Sequence, residues 1–307
     1  MTGWQVTIGG ALSSIQAGLA AWLGRTHFSK VLRRLGSIIW MTLGYTFIFS
    51  PIIVVAGSSF DGSSLDLRGN SAFLNFPPQN FTFEWYTRIS ASLYNALWIS
   101  FSMASIAAAC GIVLGVPAAL ALIRGNFPGR IILGTLFRAP LQIPFIVIGL
   151  AFLQAYYEVG SLIGLQLRAT FAGLVIGHVF VSTPYVVGAV GAVLQRFDLS
   201  LEEAALSLGA SRWRTFTRVT LPIIMPGVLA GGIYAFLVSF GDVTISLFLT
   251  GPNISPLPVE IFFALDREFD PTIPAMATIV IVGSGLLLYV IQRLVGIDIL
   301  LRGGGNG

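Results

Sequence analysis

Long stretches with almost no charged residues are the feature that most limits how this 307-residue chain can fold. A bilayer core about 30 Å thick is crossed by about 20 apolar residues as a helix, which satisfies its own backbone hydrogen bonds. The charged fraction of the chain is 10%, well below the ~25% of ordinary soluble domains. We therefore predict an all-α membrane protein with six transmembrane helices. The six stretches lie near residues 36–58, 93–123, 131–157, 171–195, 223–249 and 272–296.

The positions of Lys and Arg indicate which way these helices cross the membrane, because cytoplasmic loops carry an excess of both. If both termini are inside, twelve of the basic residues are cytoplasmic. Arg138 falls within the third span and is not counted on either side. The outer loops then hold only Arg68, Arg88, Arg168 and Arg267. This asymmetry predicts cytoplasmic N- and C-termini and a cytoplasmic loop between the fourth and fifth spans.

The same assignment divides the chain into three parts. Residues 1–34 form a cytoplasmic N-terminal segment, in which residues 10–24 are predicted to be a short helix at the membrane surface. Residues 35–296 form the six-helix membrane domain, including the loop at 196–222. Residues 297–307 form a cytoplasmic Gly-rich tail.

The loop at 196–222 has the pattern of two short helices joined by a turn. Leu201, Ala204, Ala205 and Leu208 recur at helical spacing and give a narrow face of small and aliphatic side chains. Such a face fits deeply into a groove on a partner protein. A glycine ends the first predicted helix, and Ser211 is a candidate N-cap for the second, which is basic.

The spacing in this loop resembles the cytoplasmic coupling loop of bacterial ABC importer permeases. The pattern runs from Glu203-Ala204-Ala205 through Gly209 to Val219-Thr220-Leu221-Pro222. The resemblance implies the type I importer fold, with coupling helices between spans 4 and 5 that dock on a dimer of ABC ATPase subunits. The residues that it assigns to ATPase coupling are Glu202, Glu203, Ala204, Ala205, Gly209, Leu221 and Pro222.

Further segments resemble the spermidine/putrescine branch of these permeases. They include His178-Val179-Phe180, Pro222-Ile223-Ile224-Met225-Pro226-Gly227 and Phe236-Leu237-Val238-Ser239-Phe240. The chain departs from this branch at Gly241-Asp242, where an acidic pair is usual, and at Arg138, which replaces an aliphatic residue. The resemblance implies a polyamine substrate, with an opine, an amino acid or another small organic solute as the alternative.

The family also implies the partners and the location of the chemistry. A second, paralogous permease subunit completes the pathway, and a periplasmic solute-binding protein delivers the ligand at the inner membrane. ATP and Mg²⁺ bind the partner ATPase, so this chain carries no cofactor and is not itself an enzyme. The dispersed basic residues, with a net charge of +4, do not indicate a nucleic-acid partner.

Polar and aromatic residues within the spans are candidates for the translocation pathway. Asp242 either lines the pathway and meets an ammonium group or hydrogen-bonds a neighbouring helix. Tyr185, Tyr234 and Phe240 are candidates for cation–π contacts with an amine. His178 is interpreted as a packed, hydrogen-bonded helix residue rather than a ligand.

Two other classes of membrane protein fit the composition less well. An ion-coupled secondary transporter commonly shows internal repeats and needs carboxylates at mid-membrane, whereas this chain has one interior acid and no convincing repeat. An intramembrane enzyme needs a catalytic set, but the chain has two histidines and no His-Glu-x-x-His motif. The lone Cys110 excludes a disulfide framework.

Overall fold

The computed structural model describes residues 27–63, 75–252, 254–267 and 270–295. The surface helix predicted for residues 10–24 and the tail at 297–307 lie outside these described residues. Within the described ranges the regular structure is helical apart from two isolated β-bridges, which confirms the all-α prediction. The α-helices are α1 (His27–Ser58), α2 (Glu84–Thr87), α3 (Ala91–Arg124), α4 (Arg130–Arg138), α5 (Phe145–Ile163), α6 (Phe171–Leu194), α7 (Ser200–Ser207), α8 (Arg212–Thr215), α9 (Leu221–Gly241), α10 (Thr244–Leu249), α11 (Leu257–Arg267) and α12 (Thr272–Val295).

In the described part of the chain, six helical segments are long and apolar enough to cross a membrane, which confirms the predicted number. We number them spans 1 to 6 in chain order. The term hairpin end is used for the end of the bundle where span 4 leads into span 5. The spans are Arg33–Ser58, Ala91–Arg124, Phe145–Ile163, Phe171–Leu194, Arg212–Gly241 and Thr272–Tyr289.

The third span differs from the single helix expected at 131–157. The chain forms the separate helix α4, a 3-10 turn at Ala139–Leu141, and only then the spanning helix α5. Pro140 and Pro144 account for the break, because proline lacks the backbone N–H that a continuous helix needs and its ring clashes with the preceding turn. Arg138 is consequently the last residue of α4 and does not lie in the spanning helix.

The fifth span also differs from the expected single helix at 223–249. It is helical from α8 through a π-helical turn at Phe216–Thr220 to the end of α9 at Gly241, and α10 follows as a separate short helix. The interruption lies at Asp242, whose backbone is extended (φ −74°, ψ 126°). The Asp242 Oδ2 atom accepts hydrogen bonds from the backbone N–H groups of Ile245 and Ser246, each at 3.0 Å. This local bonding competes with helix continuation.

Spans 2, 4 and 5 pack together at the centre of the bundle. Small residues let these helices approach closely, as is usual between helices in membranes. A Cβ atom on Gly231 of span 5 would lie 2.7 Å from the Cα atom of Val186 in span 4. A Cβ atom on Gly115 of span 2 would lie 2.9 Å from the Cβ atom of the same valine. Val186 thus occupies the point where all three spans meet.

The described residues between α1 and Trp85 are organised around the buried carboxylate of Asp61. That carboxylate accepts hydrogen bonds from the side chain of Ser63 and from the backbone N–H groups of Asn75 and Gln79. The Trp85 indole N–H donates to the Asp61 carbonyl oxygen at 2.8 Å. Burial by itself raises the pKa of Asp61, but the hydrogen bonds outweigh it and lower the pKa to about 2.

Candidate functional site

Two short helices, α7 and α8, follow span 4, and α8 is also the start of span 5. We call these helices and the turn between them the loop hairpin. Before α7, Asp198 accepts a hydrogen bond from the backbone N–H of Ser200 at 3.0 Å, which lowers the pKa of the Asp198 carboxyl below its usual range. Ser211 caps α8 by accepting from the Arg214 backbone N–H at 3.3 Å. Gly209 has a φ of +85°, a left-handed conformation that glycine adopts at helix ends without strain.

The apolar residues of α7 extend into an exposed surface. Leu201 is 47% exposed, Leu208 at the end of the helix is 89% exposed, and Ala204 is also exposed. Ala205 is half-buried against the rest of the chain. The loop hairpin therefore presents aliphatic and small side chains that nothing in the described part of the chain covers.

The two glutamates of α7 have different surroundings. Glu203 is exposed, and among the described residues it has no ion-pair partner. Glu202 is half-buried, and its Oε1 atom lies 2.7 Å from an NH1 nitrogen of Arg124 at the end of span 2. The Thr220 hydroxyl donates to the same Oε1 atom. Glu202 is thus bonded within the chain, whereas Glu203 is free to meet another protein.

Leu221 and Pro222 lie where the π-helical turn passes into α9. Leu221 packs against the buried core, while Pro222 occupies the first turn of α9 and is exposed. Pro222 does not begin a new helix, because the helix is continuous from α8. In the π turn immediately before Pro222 the Leu221 N–H donates to the Phe216 carbonyl oxygen five residues earlier, and this wider turn leaves room for the proline ring.

The four pathway candidates are distributed over the bundle. Phe240 is half-buried beside a cavity of about 620 Å³ between spans 2, 5 and 6, where it stacks on Phe236 with ring centroids 5.6 Å apart. Tyr234 is 59% exposed and Tyr185 is half-buried. No hydrogen bond joins either tyrosine to Asp242 in the described structure. The geometry therefore does not gather these four residues into one site.

Asp242 instead belongs to a buried polar cluster between spans 4 and 5. The two ring nitrogens of His178 are hydrogen-bonded to Ser246 at 3.0 Å and to Ser239 at 3.1 Å. The Asp242 Oδ2 atom lies 4.0 Å from the His178 Nε2 atom. All four side chains are buried, so His178 is the packed, hydrogen-bonded residue that the sequence predicted. In this conformation the Asp242 carboxylate accepts hydrogen bonds from the backbone of its own segment, and His178 of span 4 is the nearby titratable group.

Comparison with known proteins identifies the family. Residues 111–298 match the family described as binding-protein-dependent transport system inner membrane component. The chain belongs to this family. It is 30% identical over 263 residues to the putrescine transport system permease protein PotI of Escherichia coli (strain K12), covering 85% of this chain and 90% of PotI. It is 31% identical over 261 residues to the spermidine/putrescine transport system permease protein PotC of the same strain, covering 84% of this chain and 93% of PotC.

A solved structure has a fold similar to that of this chain. A chain in the crystal structure of a bacterial ABC transporter involved in the import of the acidic polysaccharide alginate superposes with a TM-score of 0.67. The identity is 15%, and the alignment covers 87% of this chain and 98% of that chain. The predicted ABC importer permease fold is therefore confirmed. This family member is a multi-pass inner-membrane transport subunit.

Sequence reasoning missed two partners of Glu202 in this permease family member. Arg124 lies 78 residues before Glu202 in the chain and Thr220 lies 18 residues after it. Contacts at such separations depend on how the spans pack, and no local periodicity reveals them. The available signal was a single arginine at the end of an otherwise uncharged span, which in a membrane protein invites a search for its carboxylate.

Proposed function

We propose that this chain is a pathway-forming permease subunit of an ATP-driven importer for a polyamine of the putrescine/spermidine class. The observation that carries this proposal is the 30–31% identity, over at least nine tenths of their lengths, to two permeases whose names specify putrescine or spermidine. The exposed loop hairpin supports the ATP-driven mechanism, because its uncovered aliphatic face is suited to a protein partner.

In this proposal a dimer of ABC ATPase subunits binds the loop hairpin from the cytoplasm. Glu203 pairs with a basic residue at the rim of the ATPase groove, while Ala204 and Leu208 enter the groove. Glu202, Ala205, Gly209, Leu221 and Pro222 maintain the shape of the hairpin and its connection to span 5. ATP and Mg²⁺ bind the ATPase, and both termini of this chain are cytoplasmic.

In this proposal two further proteins complete the translocation pathway, because one chain does not enclose it alone. A second, paralogous permease subunit supplies the other half of the pathway, and a periplasmic solute-binding protein delivers the substrate to the opposite end of the bundle. Asp242 contributes negative charge to the pathway when the interruption after α9 opens, and Phe240, Tyr185 and Tyr234 contribute aromatic surface for an ammonium group.

A cavity near the hairpin end favours a second candidate substrate class. It has a volume of about 560 Å³, lies between α4, span 2 and span 4, and is lined by Arg130 and Arg138. Two arginines among the lining residues suit a solute that carries a carboxylate, such as an amino acid or an opine, better than a polyamine. The importer class is the same in both proposals.

The test is the ATPase activity of the reconstituted complex of permeases, ATPase and binding protein, measured with each solute in turn. We expect putrescine or spermidine to stimulate ATP hydrolysis and uptake, while amino acids and opines have no effect. Stimulation only by a carboxylate-bearing solute would overturn the polyamine proposal and support the second candidate. Uptake that follows an ion gradient without ATP would overturn both.

A further inference from the structure

Four side chains from separate segments meet at the hairpin end of the bundle. Arg124 ends span 2, Phe197 precedes the loop hairpin, Glu202 lies in α7, and Thr220 lies in the π-helical turn of span 5. We call this group the Arg124 cluster. The Glu202 Oε1 atom accepts from both Arg124 and Thr220. A single carboxylate oxygen thus joins α7 to span 2 and to the start of span 5.

The contacts of Arg124 fix the guanidinium group in one orientation. Its Cζ atom lies 4.5 Å from the centroid of the Phe197 ring, so the group stacks on the aromatic face while one nitrogen bonds Glu202. The side chains of Arg124 and Glu202 are only 23% and 20% exposed. The second terminal nitrogen of Arg124 is buried and has no hydrogen-bond acceptor among the described residues. Loss of Glu202 would therefore leave a partly buried cation without its carboxylate.

We propose that Arg124 is a positioning residue that makes α7 and span 2 move together when the loop hairpin is displaced. This inference rests on the proposed function, in which the ATPase displaces the hairpin. Span 2 packs against spans 4 and 5 at the centre of the bundle. A movement of α7 is therefore passed to the packed core through the Arg124 cluster, in addition to the covalent connections at the two ends of the hairpin.

The arrangement also separates two tasks between adjacent glutamates. Glu202 holds the hairpin to its own chain, and Glu203 is exposed for the ATPase. Weakening the Arg124 cluster should therefore leave ATPase docking intact and reduce the amount of movement that reaches the pathway. A residue that merely stabilised the fold would instead lower the yield or assembly of the complex.

The experiment measures solute taken up per ATP hydrolysed by the reconstituted complex, together with copurification of the ATPase. The variants are Arg124→Gln, Arg124→Lys and the charge exchange Arg124→Glu with Glu202→Arg. Lysine retains the charge but lacks the planar group that stacks on Phe197 and bonds Glu202. Arg293→Gln is the matched control, because this exposed arginine of α12 bonds only Tyr289, four residues earlier, within the part of the chain that the structure describes.

We expect Arg124→Gln to copurify with the ATPase and to lower uptake per ATP by about fivefold or more, within the range typical of coupling between sites. Arg124→Lys should show an intermediate loss, the charge exchange should restore part of it, and the control should match the wild type. Unchanged uptake per ATP in Arg124→Gln, or loss of ATPase copurification, would overturn the inference. A wild-type complex without ATP-dependent uptake would refute the proposed function itself.

Discussion

Glu202 and Glu203 are neighbours in the sequence, yet their side chains have different surroundings. Successive residues of an α-helix point about 100° apart, since 3.6 residues make a turn. One carboxylate therefore turns toward Arg124 and the other turns into solvent. The sequence motif identified the pair as important, but only the packing of span 2 beside α7 assigns a different task to each.

Glu203→Lys reverses the charge that we place against the ATPase. We expect it to abolish ATP-driven uptake while the protein still inserts into the membrane, because the side chain is exposed and has no described partner to lose. Uptake and membrane content are measured in the same cells. Glu158→Lys, a reversal at another exposed glutamate, is the control and should transport normally. Wild-type uptake by Glu203→Lys would contradict the assignment.

Asp61→Asn tests the hydrogen-bonded segment after α1. The pKa of Asp61 is lowered from 3.8 to about 2, so the ionised carboxylate contributes about 2 kcal/mol of stability above pH 4. That contribution decreases as the pH falls from about 4 toward 2, because protons then bind the unfolded state more readily than the folded state. We expect a lower melting temperature for Asp61→Asn at pH 7 and a smaller difference from the wild type near pH 2.

Asp266→Asn is the matched control for this measurement, because Asp266 is exposed and has no described hydrogen bond. Its melting temperature should follow that of the wild type at every pH. The difference in melting temperature between Asp61→Asn and the wild type should shrink on acidification. If it does not, the shape of the side chain rather than its charge explains the loss of stability.

At the scale of elements, the apolar stretches predicted the number and order of the spans but not their interruptions. Hydropathy averages over many residues, so it joined α4 to α5 across Pro140 and Pro144 and joined α9 to α10 across Asp242. The breaks depend on a missing N–H group in the first case and on a carboxylate that bonds its own backbone in the second. The signals are two prolines in the first case and one aspartate in the second, each within apolar sequence.

Gly231→Ala tests the close approach of spans 4 and 5. The new Cβ atom would lie 2.7 Å from a backbone atom of Val186, which cannot move aside as a side chain can. We expect the free energy of unfolding to fall by about 1–3 kcal/mol, the usual cost of overpacking a core. The measurement is the melting temperature of the purified protein, which should be lower. Gly188→Ala in span 4 meets nothing within 4 Å. It should be neutral or stabilising, since alanine favours a helix, and an equal loss in both variants would contradict the packing explanation.

At the scale of the whole molecule, the sequence predicted those parts of the mechanism whose residues lie close together in the chain. The motif at 203–222 indicated the hairpin and the importer class, because its residues are close in sequence. The contacts that connect the hairpin to the bundle were not predictable in this way. His178 lies 61 residues from Ser239 and 68 from Ser246, and Arg124 lies 78 from Glu202. Only the packing of the spans brings these residues together.

Asp242→Asn separates the structural role of this residue from its proposed role in transport. Asparagine also serves as a helix cap, so its side-chain oxygen should accept the hydrogen bonds from Ile245 and Ser246 and preserve α10. The substitution removes the negative charge that would meet an ammonium group. Because a hydrogen bond to a charged group contributes about 1.5–3 kcal/mol, turnover of a cationic substrate should fall about tenfold or more.

The measurement is the rate of polyamine uptake at saturating ATP by the reconstituted complex, with the melting temperature as a check on the fold. Asp270→Asn is a matched control, because Asp270 also accepts a backbone hydrogen bond, from Thr272 at 2.8 Å at the start of α12. It should leave uptake unchanged. A normal rate in Asp242→Asn would restrict Asp242 to the capping role seen in the structure. A reduced rate with an unchanged melting temperature requires that the cluster with His178 opens during transport, since its side chains are buried in this conformation.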